Sequence, residues 1–138
     1  MTEISIPYHL IIPCIISTLV VVSIFFKRKK LFKSGKMRLF WISLTVFFGV
    51  YAMILIRATY IDISTALALQ NFDLNGDGFF NKKEITTEQI AALRKVTADT
   101  GRNLSLITGL IFSGIIALFV YGFGNLAEFI RKKSVSYN

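Results

Sequence analysis

Twelve consecutive residues near the middle of the chain, Asp73 to Glu84 (DLNGDGFFNKKE), bring together Asp73, Asn75, Asp77, Asn81 and Glu84, five oxygen-bearing side chains, with one glycine, Gly78. They satisfy the spacing D-x-[DN]-x-[DN]-G-x5-E in full. Carboxylate and amide oxygens in such a run suit a hard cation: calcium takes about six to eight oxygen ligands in a roughly pentagonal-bipyramidal cage. Asn, Gly and Asp also dominate ordinary turns. A turn, however, needs only two or three such residues, not five donors and a glycine in register.

Here the chain resembles the EF-hand superfamily, over the loop and about a dozen residues on either side. The resemblance implies Ca2+ as the bound ion. It implies side-chain ligands from Asp73, Asn75 and Asp77, a sharp turn at Gly78, and a backbone carbonyl ligand from Phe79. Asn81 acts directly or through water, and Glu84 closes the cage with both carboxylate oxygens. Phe80 takes the position that pairs in a short β contact between such loops. Three carboxylates and two neutral amides, with Lys82 and Lys83 inside the loop, make a weak site. Its expected dissociation constant is about 10⁻⁴–10⁻³ M, the range of extracellular modules.

The flanking segments must hold this loop. Ala58 to Phe72 lacks Gly and Pro, and Leu69 and Phe72 share one helical face, which predicts a helix continuing the apolar run before it. After the loop, Thr86 and Gln89 have capping-box spacing. Ile90, Leu93 and Val96 then form an apolar stripe, and Gly101 reads as a C-terminal stop.

Hydrophobic residues make up 54% of the 138, and the mean hydropathy is +0.60. The excess is confined to three blocks without a charged residue, Leu10 to Phe26, Leu39 to Ile56 and Leu104 to Phe123. At about 1.5 Å per residue each forms a helix of roughly 25–30 Å, close to the hydrocarbon thickness of a bilayer. The expected fold is all-α: three transmembrane helices with an EF-hand helix-loop-helix inserted between spans two and three. The division is 1–38 (first span and basic hairpin), 39–57 (second span), 58–103 (insert) and 104–138 (third span and basic tail). The start MTEISIPYH lacks the cationic region of a signal peptide. Cys14, the only cysteine, lies in an apolar block and is expected to pack rather than react.

The net charge of +8 is unevenly placed. Lys27, Arg28, Lys29, Lys30, Lys33, Lys36 and Arg38 crowd the connection between the first two blocks, and Arg131, Lys132 and Lys133 follow the third. The segment between blocks two and three balances six cations with six anions. The positive-inside rule therefore predicts the amino terminus outside, the basic hairpin inside, the insert outside and the carboxyl terminus cytoplasmic, in a plasma or inner membrane. Trp41 is then expected near the inner interface, and Tyr8 and Tyr60 near the outer one. The cations suit anionic lipid headgroups. No nucleic-acid partner is expected, because interleaved aromatics and a folded reading surface are lacking.

Ser105, Gly109, Ser113 and Ala117 recur every four residues in the third block, a small-residue stripe for close helix packing. Its expected use is homo-oligomerisation or contact with another membrane subunit. The alternative is packing on the second block, where Thr45 and Gly49 make a shorter stripe. His9, the only histidine, has no acid or nucleophile near it in sequence, and no apolar block carries a charge for an ion relay. An enzyme is not expected. The sequence reads as a calcium-responsive regulatory or sensory membrane subunit. Alternatives are a calcium-stabilised accessory subunit, or a homo-oligomeric ion channel lined by Ser17, Thr18, Ser43 and Ser113.

Overall fold

The computed structural model describes residues 6–33, 35–74, 80, 85–97 and 100–135. These residues form four helices: α1 (Tyr8–Leu31), α2 (Gly35–Gln70), α3 (Thr87–Thr97) and α4 (Thr100–Val135). No strand occurs among the described residues. α1, α2 and α4 are long and apolar enough to cross a membrane. Their most apolar windows are only 17, 22 and 11% buried inside the molecule. Packing within the chain therefore leaves most of this surface exposed, including Phe26, Met53, Leu118 and Phe129, which is compatible with contact with a lipid bilayer.

The long helices run past their apolar blocks. α2 has 36 residues, about 54 Å at helical rise and well beyond a hydrocarbon core of about 30 Å. It continues through Arg57 and Asp62 to Gln70, as the absence of Gly and Pro predicts. α1 carries Arg28, Lys29 and Lys30 in its last turn, and α4 carries Lys132 and Lys133 in its own. Both placements complement the negative end of the helix dipole. Pro13 lies inside α1. Within the same stretch the Ser17 hydroxyl donates to the Pro13 carbonyl at 2.7 Å, and Thr18 donates to the Cys14 carbonyl at 2.9 Å.

α2 is the central element, with α1, α3 and α4 all packed against it. The tightest cluster is Leu10, Tyr51, Leu55 and Ala58, joined by Cys14 and Leu106. It draws α1, α2 and α4 together in the half of the bundle nearest the loop. Tyr51 fits there because its hydroxyl donates to the Leu106 carbonyl at 3.2 Å, so its polar end is satisfied.

The α2–α4 contact uses the small residues of α4. Gly109 and Ser113 are buried, and a Cβ at Gly109 would stand 3.0 Å from Ile54 Cγ2 and 3.5 Å from the Tyr51 ring. A Cβ at Gly114 would stand 3.8 Å from the Phe47 ring, an ordinary contact distance. The opposing surface on α2 is thus Phe47, Tyr51 and Ile54. Gly49, named only in the alternative reading of the stripe, has open space where its Cβ would be. Large side chains on α2 fill the room that the absent side chains of α4 leave, which explains why a glycine on one helix need not meet a glycine on the other.

Two local expectations are corrected. Gly101 lies in the first turn of α4 rather than ending the preceding helix. The first turn of a helix has amides without intrahelical partners, so a glycine there forfeits little. On α3, Ile90 and Leu93 remain exposed, while Gln89 is buried and Ala92 and Val96 are half-buried. Thr65 and Ala68 of α2 and Phe72 in the turn after it line a groove opposite Ala91 and Ala92 of α3.

Candidate calcium loop and the polar bracket across the helix that follows it

α2 ends in a turn: the amides of Phe72 and Asp73 donate to the carbonyls of Leu69 and Gln70 at 3.1 and 3.0 Å. Asp73, the first expected ligand, follows immediately and is partly buried. On the far side, Thr86 caps α3 by accepting from the Gln89 amide at 3.1 Å, and the Thr86 carbonyl accepts from Ile90 at 3.0 Å. Half of the expected capping box is therefore formed. Of the other loop residues, Phe80 is half-buried. Asn75, Asp77, Gly78, Phe79, Asn81 and Glu84 lie outside the described residues.

Among the described residues no group of three or more His, Cys, Asp or Glu is placed to hold a metal. The fit of the loop to calcium rests on its donor chemistry and on its place between α2 and α3. Every expected donor is an oxygen, which suits a hard cation and excludes a thiolate or imidazole site.

At the end of α3 away from the loop lies a group that the sequence reading missed. Arg102, in the first turns of α4, sends its guanidinium across to α2 and α3. Nε lies 3.5 Å from Asp62 Oδ1. Nη1 donates to Thr65 Oγ1 at 2.6 Å, and Nη2 donates to the Val96 carbonyl at 2.7 Å. The Arg102 and Asp62 side chains are only 11% and 22% exposed, so this pair is shielded more than an ordinary surface ion pair. Close by, His9 at the start of α1 bonds Asn103 Oδ1 through Nε2 at 2.9 Å. The charge neutrality of the insert concealed these contacts. The available signal was an Asp and an Arg in segments predicted to leave the same side of the membrane.

Of the stripe on α4, Gly109 and Ser113 are turned into the chain's own α2. Ser105 donates to the Arg102 carbonyl, and Ala117 borders a groove with Phe40, Ser43, Leu44 and Phe47. Ser17, Ser43 and Ser113, considered as pore-lining groups, are all buried in this packing, while Thr18 is exposed.

No protein-family model, curated protein or solved structure matches the chain.

Proposed function

We propose that this chain is a calcium-binding membrane protein whose loop, Asp73 to Glu84, regulates the arrangement of its membrane helices. Asp73, Asn75, Asp77, Asn81 and Glu84, with the Phe79 carbonyl, hold the ion. Bound calcium supplies a concentrated positive charge that draws these oxygens together. The loop faces the outside, where calcium is abundant enough for a weak site. The ten cations at the opposite end meet anionic headgroups of the cytoplasmic leaflet.

One observation supports regulation above all: the loop is joined to the spans almost without slack. α2 is a single helix from its apolar block to Gln70, and α3 ends at Thr97, with α4 starting at Thr100. A ligand shifts a conformational equilibrium only by its difference in affinity for the two states. A weak site therefore suits graded regulation.

Isothermal titration of the purified protein tests the reading. One calcium per chain is expected, with binding lost in Asp73→Ala and in Glu84→Gln while both variants still insert. Unchanged heats in both variants would end the assignment. If the wild type binds calcium but the distances between its spans do not respond, the site is a structural clamp.

A further inference from the structure

We infer that Arg102 is the positioning residue that couples the calcium loop to the membrane helices, by latching the end of α3 to α2. The latch stands on described contacts. Its regulatory meaning rests on the calcium reading above.

The guanidinium uses each of its nitrogens on a different partner: Asp62 and Thr65 on α2, and the Val96 carbonyl in the last turn of α3. A planar fork of five N–H donors can meet three partners in fixed directions, which an ammonium cannot reproduce. The Val96 carbonyl is among the four at a helix C-terminus that lack an intrahelical partner, and a cation there also complements the helix dipole. α3 is thus held at its C-terminal end by a residue in the first turn of α4, against the extension of the second span.

Along the rest of its length α3 is held less firmly. Between it and α2 runs a groove of about 340 Å³ lined by Thr65, Ala68, Phe72, Glu88, Ala91 and Lys95. Apart from Gln89 at 2% exposure, no described residue of α3 is fully buried. A helix of 11 residues is too short to be stable without tertiary contacts, so its orientation is set by its two ends. One end is the calcium loop and the other is Arg102. Any rearrangement of the loop therefore pivots α3 about the guanidinium, and the pull passes directly to Asp62 on α2 and to the first turns of α4.

The test uses the full chain in nanodiscs, in a Cys14→Ser background, with spin labels at exposed positions. One pair, Tyr60 and Arg94, reports α2 against α3. The second, Met37 and Phe123, reports the far ends of the two spans. With no metal added, Arg102→Gln is expected to broaden the Tyr60–Arg94 distance distribution at least twofold. With calcium added, Arg102→Gln should still take up one ion per chain by titration, yet lose the calcium-linked change in the Met37–Phe123 distance. Arg102→Lys should restore neither property fully.

An unchanged Tyr60–Arg94 distribution in Arg102→Gln overturns the latch. A broadened distribution with the calcium-linked change intact overturns the coupling. If the wild type takes up no calcium, the calcium reading fails, and the metal-free distances still decide the latch. If Arg102→Gln does not fold, Thr65→Val removes one bond without uncovering a charge and should give a smaller broadening of the same distance. No broadening there overturns the latch as well.

Discussion

At the loop end of the bundle, Arg102 joins α4 to α2 and α3, His9 of α1 meets Asn103 of α4, and the Tyr51 hydroxyl reaches the Leu106 carbonyl of α4. At the basic end, Lys27 to Lys30 and Arg131 to Lys133 are exposed. No polar bond joins one helix to another there among the described residues. What meets there is apolar: Trp41 faces Ile24 and Leu31, and Leu39 lies against Gly124. One end is braced by directional bonds with few alternatives, the other by side chains that can turn. Motion that starts at the loop should therefore keep the braced end together and be absorbed at the other. The loop end is the natural fulcrum.

The largest effect is expected from asking which end faces which compartment. In a Cys14→Ser background, Thr97→Cys should react with an impermeant thiol reagent in intact cells, and Lys33→Cys should react only after permeabilisation. The positive-inside rule, applied to the ten cations that flank the apolar blocks, predicts this direction. The opposite labelling pattern would turn the molecule over and put the weak loop in a compartment poor in calcium.

The same substitution at two glycines sharpens the difference in packing. Gly109→Ala places a methyl 3.0 Å from Ile54 Cγ2. That atom sits directly on a β-branched carbon with one preferred rotamer, so it cannot swing aside. Overpacking of this kind costs about 1–3 kcal/mol, less up to about 1 kcal/mol regained in helix propensity. Gly124→Ala meets the Leu39 Cδ2 methyl at 2.6 Å, closer still, but that methyl is the far end of a half-buried side chain. A rotamer change of about 0.5–1.5 kcal/mol there is offset by the same gain in propensity, so the net effect should be near zero. Unfolding in mixed SDS micelles measures both. Equal losses would mean that the two ends are packed alike.

Much of this architecture was legible in the residues. The three spans follow from blocks without charge, the extension of α2 from the absence of helix breakers, and the start of α3 from Thr86, because each signal is local. The bracket was not legible. Asp62 and Arg102 are far apart in sequence, and only the return of α4 alongside α2 brings them together. The face of α3 was misread for a related reason: periodicity finds the apolar side of a helix, but the opposing surface decides which side fits. The α4 stripe announced a close helix contact, and only the fold supplied its partner, Phe47, Tyr51 and Ile54. For the calcium loop the spacing of its own side chains remains the chief support, with Asp73 and the Thr86 cap as the described residues that bound it.

The smallest expected effect concerns α1. His9 and Asn103 make the one described side-chain bond between α1 and α4, and both residues are exposed. Asn103 has a further interaction besides this one, so His9→Ala would not leave it without a partner. An exposed hydrogen bond removed without stranding a buried group costs about 0.5 kcal/mol, the low end of the usual range. α1 should stay in place, because Leu10 is fully buried against Tyr51, Leu55 and Ala58 a single residue further along. The expected result is a loss in SDS unfolding at the edge of detection, with no change in the spin-label distance between Ile12 and Ile107, both exposed on their helices. A large shift in that distance would show that the polar bond, rather than the Leu10 cluster, holds α1. The loop end would then depend on its directional bonds even more than the Arg102 bracket alone implies.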